Sequence, residues 1–235
     1  MKSLVLLLFI IYAVLIAPGF PASAQPPKVK KSKPLMPKVI RLEEQLAYFD
    51  KKFDSASYRI SLCADMPYDK NPLQVTYGQE PGHVFLILQK INLDNMGDTI
   101  NLVFGFYPSR GIPLIFKRKM KSRIKDNSSR YFDIRITKEV SEDEFNTFLQ
   151  KSLSLSRKYY HLNKYNCYDY GVELFNTLVT HDRIPLRRTK YPFPFGSGGS
   201  PVCIYSFVSS RGTSLKEWNY EINLGGLLAP KSTGR

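Results

Sequence analysis

One histidine and one cysteine in this sequence have the residue types and positions of a base and a nucleophile. His83 begins an apolar segment, His83–Lys90, whose composition predicts a buried strand. Cys167 lies at the predicted start of a helix, where the helix dipole and free backbone N–H groups favour a thiolate. The same N–H groups can stabilise an oxyanion. A strand histidine aimed at this thiol would act as its base, so the pair predicts covalent thiol chemistry.

The elements around this pair predict a single α+β domain over residues 41–235. Its core covers about 58–180, and a loop-rich C-terminal extension covers 181–235. Two apolar segments around an Asp/Asn/Gly turn predict an antiparallel hairpin. The predicted strands are Tyr58–Cys63, His83–Lys90, Thr99–Tyr107, Tyr131–Thr137 and, in the extension, Val202–Val208.

Two helices are predicted between the hairpin and the extension. Ser141 and Glu144 form a capping box at the start of the first. The second opens at Asn166-Cys167, where Asn166 is the predicted cap of the helix. A shorter helix is predicted at Leu42–Phe49 from the spacing of its apolar residues.

Three short motifs resemble those of a known superfamily. The stretch YYHLNKYNCYDY, residues 159–170, resembles the Y-x-L-x-x-x-N-C-x-D-F box of secreted bacterial proteins in the permuted papain-like superfamily. That superfamily includes permuted NlpC-type peptidases and lecithin-retinol-acyltransferase-like proteins. The GHVF of residues 82–85 is similar to its G-H-x-F strand, and the GFYP of residues 105–108 is similar to its G-F-Y-P. In this superfamily a strand histidine precedes the cysteine, as His83 precedes Cys167 here.

The resemblance covers roughly residues 58–180 and implies a fold and three catalytic positions. The implied fold is an antiparallel sheet packed against the helix that carries the cysteine. Cys167 would be the nucleophile and His83 the general base. The third, orienting residue would lie on the strand after the histidine strand, where Asn101 can present a carbonyl oxygen to the imidazole. A polar side chain facing solvent is the alternative for Asn101.

The remaining cysteines have two possible states. If Cys167 is the free nucleophile that the resemblance implies, Cys63 and Cys203 are left to form a possible disulfide between the N-terminal strand and the C-terminal segment. Pairing does not follow from spacing, and the alternative is that all three cysteines are reduced. The positions of His, Cys and carboxylate residues do not have metal-site spacing, so neither a metal nor another cofactor is expected.

The N-terminus predicts export. Residues 1–24 have the charged start, apolar run and Ala-Ser-Ala site of a cleaved signal peptide, so the chain is expected to be secreted or periplasmic, without a transmembrane anchor in its mature form. An uncleaved anchor is the alternative, but the apolar run is short for a bilayer span. Residues 25–40, with four Pro and five Lys, predict an extended basic linker.

The composition is ordinary except for its charge. The 235 residues are 43% hydrophobic and 23% charged, which excludes a disordered or fibrous chain. Removing the signal peptide removes one basic residue and leaves a net charge of +13 in place of +14. Basic residues concentrate in three segments, at Lys28–Lys38, Arg110–Arg130 and Arg183–Lys190. Solvated charge is the simplest reading, and on an exported chain an anionic envelope polymer, cell-wall peptide or lipid head groups are more suitable partners than nucleic acid.

These observations favour a secreted thiol hydrolase of the Cys–His type. An amidase or peptidase acting on cell-wall peptide, or on a related amide or ester, is the leading hypothesis. The alternatives are a non-catalytic envelope-binding module on the same fold, and a thioesterase or acyltransferase acting on lipid. Fold alone does not separate them.

Overall fold

A six-stranded antiparallel sheet forms the centre of the protein. The structure, a computed structural model, describes residues 37–76, 81–95, 97–110, 119–193 and 195–234. The predicted signal peptide, most of the predicted linker and residues 111–118 of the second basic segment lie outside these ranges. The strands are β1 (Ala56–Asp65), β2 (His83–Asn92), β3 (Thr99–Pro108), β4 (Ser122–Asp126), β5 (Tyr131–Val140), the short pair β6 (Thr189–Lys190) and β7 (Ser197–Gly198), and β8 (Asn219–Leu228).

The strand order across the large sheet is β4-β3-β2-β1-β5-β8, and all neighbours are antiparallel. The predicted hairpin of β2 and β3 is confirmed, with Phe85 opposite Gly105 and Gln89 opposite Asn101. The helices are α1 (Leu42–Leu46), α2 (Glu142–Ser156), α3 (Cys167–Phe175) and α4 (Pro201–Arg211). The chain therefore forms a mixed α+β fold with an antiparallel sheet.

The two faces of the sheet bury different residues because side chains alternate along each strand. One face carries Val84, Leu86 and Leu88 of β2, and it packs against α2, α3 and α4 in the main core. The opposite face holds a smaller cluster formed by Cys63, Phe85, Ile87, Val103, Phe132 and Ala229. The first residue of β2, His83, belongs by alternation to this second face.

Both predicted helix starts are confirmed. Ser141 and Glu144 form a reciprocal capping box at α2, and Asn166 caps α3. The side-chain oxygen of Ser141 accepts from the Glu144 backbone N–H, so one of the free donors at the helix end is satisfied.

The C-terminal extension departs from the prediction. Val202–Val208 is not a strand but part of α4, because Ser200 caps the helix and Pro201 occupies a position in its first turn where a missing N–H costs nothing. Strand β8 was not predicted, yet it completes the sheet beside β5. Residues 181–235 therefore belong to the same layered domain as the core.

The end of the predicted linker also joins the domain. Ile40 donates its backbone N–H to Ile124 at 3.0 Å, and Asp126 donates to Lys38 at 2.9 Å, so this segment runs along β4. Ile40 itself is buried in the main core. The folded domain thus begins a few residues before position 41.

Candidate active site

Cys167 is the first residue of α3 and is held there by its neighbour. Asn166 is only 1% exposed, and its side-chain oxygen accepts from the Tyr168 N–H at 2.9 Å. Its side-chain nitrogen donates to the carbonyls of Leu162 and Gly199, at 2.8 and 2.9 Å. This one amide therefore caps the helix and ties its start to two loops, which fixes the position of the thiol.

A glycine lets α3 lie directly on the sheet. A Cβ atom at Gly171 would come within 2.7 Å of Leu62 Cδ1 and 3.0 Å of Val84 Cγ1. Since Gly171 is one helical turn beyond Cys167, the same close approach brings the thiol against β2. The backbone N–H of Val84, the residue after His83, hydrogen-bonds the Cys167 sulfur and lowers its pKa.

The thiol is nevertheless neutral at neutral pH. The pKa of Cys167 is raised to about 11, chiefly by burial and also by the nearby Asp169 carboxylate. The N–H groups of Val84 and Tyr168 and the positive charge of Arg130 lower the pKa, but not enough to offset burial. Asp169 is itself paired with Arg188. To act as a nucleophile, Cys167 would therefore need a base that takes its proton.

His83 has the properties of such a base. It is 5% exposed, and its ring lies 4.4 Å from the ring of Tyr107, centroid to centroid. Burial lowers the pKa of His83 well below its ordinary value of 6.5, and the charges of Arg130 and Lys125 lower it further. The imidazole is therefore neutral at neutral pH and able to accept a proton.

Asn127 is the polar side chain that the structure places beside this imidazole. A Cβ atom at Gly105 would lie 2.4 Å from His83 Nε2 and 2.5 Å from Asn127 Oδ1, so the two atoms face each other across this glycine. Both atoms are buried, and within the described ranges neither meets a hydrogen-bond partner at bonding distance. The Asn127 amide nonetheless favours the protonated imidazole and raises the pKa of His83. A small closure would give an Nε2–H···Oδ1 hydrogen bond.

The orientation of Asn127 is set by β3 and by a tyrosine. Its backbone N–H donates to Val103 at 2.8 Å, and its side-chain nitrogen donates to the Tyr107 hydroxyl at 2.6 Å. Burial raises the pKa of Tyr107 to about 12, so its hydroxyl stays protonated and neutral. The amide is thereby turned with its oxygen toward His83.

Asn101 does not take this role. It is paired with Gln89 across the hairpin and accepts a hydrogen bond from its side chain at 2.9 Å. Gln89 lies six residues beyond His83 along β2, a distance of about 20 Å in a strand. The prediction that Asn101 orients the imidazole is therefore corrected, and Asn127 is the polar side chain that lies beside His83.

Asn127 was not predicted as a site residue, because in the sequence it is only the first residue of Asn-Ser-Ser, a possible glycosylation sequon. The signal that could have identified it is its place directly after a short basic strand, β4. That strand pairs with β3 near its end, with Phe104 opposite Asp126, so the next residue falls next to Val103 and Gly105. This register is not readable from the composition of β4.

The predicted disulfide does not form in the structure. Cys63, Cys167 and Cys203 are all free thiols. Cys63 is buried in the smaller cluster on one face of the sheet, whereas Cys203 is buried in the main core on the other face. The sheet itself separates the two sulfur atoms, so a disulfide would require the fold to change.

The other two histidines have structural surroundings. His161 Nδ1 accepts from the Asn163 N–H in a turn, and the His181 N–H donates to Glu217. Over the described parts of the chain, no three His, Cys, Asp or Glu side chains cluster as metal ligands would. Within the same parts, no helix has both the length and the apolar character needed to cross a membrane.

No family model matches the chain, and it has no significant match among curated proteins or solved structures. The choice of Cys167, His83 and Asn127 as candidate site residues therefore depends on the sequence and geometry of this chain alone.

Proposed function

We propose that the protein is a secreted thiol hydrolase in which Cys167 attacks a carbonyl carbon and His83 is the general base. The observation that carries the proposal is the meeting of three elements at one point. The start of α3 places the Cys167 sulfur at the backbone N–H of Val84, the residue after His83 in β2, and Asn127 Oδ1 faces His83 Nε2 across Gly105. Nucleophile, base and orienting amide in this order are the components of thiol acyl transfer.

The reaction follows from the charge states. In the proposed reaction the Cys167 proton moves to the His83 imidazole as the sulfur–carbon bond forms, because both groups begin neutral. Asn127 Oδ1 accepts the Nε2–H of the resulting imidazolium. The oxyanion develops at the positive end of α3. The intermediate expels an amine or alcohol that takes the proton from His83, and a thioester remains for water to hydrolyse.

The chain order supports a permuted papain-like fold as part of this proposal. His83 lies on a strand that precedes the cysteine helix, and that helix packs on an antiparallel sheet. The predicted signal peptide and the positive charge favour an amide of cell-wall peptide, or a related amide or ester, as substrate.

A non-catalytic binding module is the second candidate, and one observation favours it. The raised pKa of Cys167 and the lowered pKa of His83 mean that the pair has no resting thiolate–imidazolium form. A thiol that does not ionise readily is typical of a buried structural cysteine. A hydrolase requires that a bound substrate carbonyl induces proton transfer from Cys167 to His83, whereas a binding module does not.

An activated aryl ester tests the proposal without knowledge of the natural substrate. Release of the phenolate reports the rate, and mass spectrometry locates the acyl group. Cys167→Ala and His83→Ala are expected to lower the acylation rate at least 100-fold. Cys203→Ser is the matched control, since Cys203 is also a free thiol near a helix start, and it should retain the wild-type rate.

The outcomes separate the candidates. Acylation of Cys63 or Cys203 in place of Cys167 would overturn the proposal, and so would a folded wild-type protein that is never acylated. Once acylation is established, incubation with cell-wall fragments and with acyl lipids identifies the substrate by its products. Release of peptides supports the amidase, and loss of acyl chains supports the lipid acyltransferase.

A further inference from the structure

A second surface, built by a small hairpin, lies next to the active site. Strands β6 and β7 pair with Thr189 opposite Gly198, and the chain between them turns with Tyr191 N–H bonded to Gly196 O at 2.7 Å. A groove of about 660 Å³ opens on this hairpin. Its lining is Arg188, Lys190, Tyr191, Phe193, Gly196 and Ser197.

The tip of the hairpin carries an apolar side chain in water. Phe193 is 97% exposed, the highest exposed fraction of any large hydrophobic residue in the described parts of the chain. Leu186, just before the hairpin, is 54% exposed. A phenyl ring so fully in water forgoes the burial that stabilises most phenylalanines, which is typical of residues that contact a partner.

The charged residues of the sequence segment around this ring are all basic. From Arg183 to Lys216 the sequence contains no Asp or Glu. The basic residues in that stretch are Arg183, Arg187, Arg188, Lys190, Arg211 and Lys216. Of those near the tip, Arg188 pairs with Asp169 of α3, while Arg187 and Lys190 are exposed. An exposed aromatic residue flanked by cations matches an anionic, amphiphilic partner.

The hairpin is joined to the nucleophile through buried hydrogen bonds. The Tyr191 hydroxyl donates to Gly199 O at 2.7 Å and lies 3.4 Å from the side-chain nitrogen of Asn166, which precedes Cys167. The hairpin is therefore fixed to the residue that caps α3.

We propose that the hairpin is a docking surface for an anionic lipid bilayer. Phe193 enters the headgroup region, and Arg187 and Lys190 lie among the lipid phosphates. A lipid surface fits better than a soluble polyanion, because a polyanion would use the cations but would give the exposed phenyl ring no apolar contact. Docking does not depend on catalysis, and it holds the active site at the bilayer surface.

Cosedimentation with vesicles tests this on the exported, processed chain carrying Cys167→Ala, so the result is independent of the proposed reaction. The vesicles are phosphatidylcholine alone and phosphatidylcholine with phosphatidylglycerol. Binding is expected only to the anionic vesicles and should weaken as salt rises. Phe193→Ser should lower the partition coefficient about tenfold. Arg187→Gln with Lys190→Gln should lower it about 20-fold.

Matched variants elsewhere on the surface are the controls. Leu73 is 61% exposed, and Lys70 and Lys151 are exposed, so Leu73→Ser and Lys70→Gln with Lys151→Gln remove the same groups away from the hairpin. All variants share one N-terminal segment. Equal losses in control and hairpin variants would overturn the proposal, as would strong binding to neutral vesicles. A Phe193→Ser protein that binds anionic vesicles as wild type does would show a general polyanion site instead.

Discussion

At the scale of single residues, the candidate active site is defined by which groups are charged. Two groups, the partly buried Cys167 and the buried His83, are both neutral at neutral pH, since desolvation shifts the pKa of each toward its uncharged form. Arg130 stays charged nearby and forms an ion pair with Asp65 at 2.8 Å. This cation lowers the pKa of both members of the pair, which favours a thiolate and disfavours an imidazolium.

The charge states predict how Cys167 reacts with iodoacetamide. Because the pKa of the thiol is raised to about 11, the alkylation rate should rise about tenfold per pH unit between pH 8 and pH 10. Mass spectrometry of the Cys167 peptide measures this rate separately from those of Cys63 and Cys203. A plateau that begins near neutral pH would instead indicate a resting ion pair with His83.

Two asparagines of equal size test the orienting role. Asn127→Ala should lower the acylation rate of Cys167 by about 10-fold to 100-fold, because the imidazolium loses its hydrogen-bond acceptor. Asn101→Ala, on the same sheet but paired with Gln89, should change that rate less than twofold.

The pH profile separates an orienting role for Asn127 from a purely structural one. Asn127 raises the pKa of His83, so its removal should move the acid limb of the acylation profile to lower pH. A reduced rate with an unmoved acid limb would assign Asn127 to packing alone.

Gly105 permits the contact between His83 and Asn127. A methyl group there would lie 2.4 and 2.5 Å from their facing atoms, and both residues are buried with little room to move. Gly105→Ala should therefore lower the acylation rate at least tenfold while the far-ultraviolet circular dichroism stays native. Gly97→Ala, whose Cβ would come no closer than 3.3 Å to Asn95 Oδ1, is the control. An unchanged rate in Gly105→Ala would contradict the facing arrangement.

At the scale of elements, the sequence predicts the parts that obey local rules. The β2–β3 hairpin, the capped α2 and the start of α3 follow from apolar periodicity, turn residues and capping residues, and all are present. The positions of His83 and Cys167 follow from these elements. This is why the nucleophile and base could be proposed before their surroundings were known.

The elements that were missed depend on tertiary contacts. The β-branched and aromatic residues of Val202–Val208 favour a strand locally. Ser200 and Pro201 nevertheless start a helix, and most residues of this segment are buried in that helix. In β8, Gly225 and Gly226 suggest a turn, and they lie with positive φ at an irregularity of the β5–β8 pairing, but the strand pairs with β5 on both sides of them. Asn127 was missed for the same reason, since only the pairing of β3 with β4 places it beside His83.

The close packing of α3 on the sheet gives a prediction for stability. Gly171→Ala would place a methyl group 2.7 Å from Leu62 Cδ1 in the core, so α3 must shift outward. Overpacking of this kind should cost about 1–3 kcal/mol of unfolding free energy, measured by urea denaturation. Helix propensity alone would predict the opposite sign, a gain of about 1 kcal/mol, so a stabilised variant would contradict the close approach.

At the scale of the whole molecule, the excess of positive charge is organised by the fold. Many acids in the described parts of the chain lie in ion pairs across the sheet or at helix starts, including Asp65 with Arg130 and Asp169 with Arg188. In the acid-free stretch from Arg183 to Lys216, Arg187 and Lys190 are exposed at the hairpin. Part of the positive charge therefore lies on the hairpin that is bonded to the start of α3, where it can orient the molecule toward an anionic surface.

The stability of the whole molecule should depend on the protonation of His83. Its pKa is lowered well below 6.5 in the folded state, by burial and then by Arg130, but has its ordinary value of 6.5 once the chain unfolds. Below pH 6.5 the unfolded state binds a proton that the folded state does not, so the free energy of unfolding falls as the pH falls. One such proton contributes a slope of up to about 1.4 kcal/mol per pH unit, or about 2 kcal/mol between pH 6.5 and pH 5.

His83→Gln removes this proton, because an amide is neutral at every pH. Urea denaturation of the two proteins at pH 7.5, 6.5, 5.8 and 5.0 measures the difference, and the variant should lose less stability than wild type over the same range. Glutamine costs some packing at all pH values, so the slope and not the absolute stability is the test. Equal slopes in the two proteins would mean that the pKa of His83 is the same in the folded and unfolded states, which would contradict the lowering of this pKa by burial.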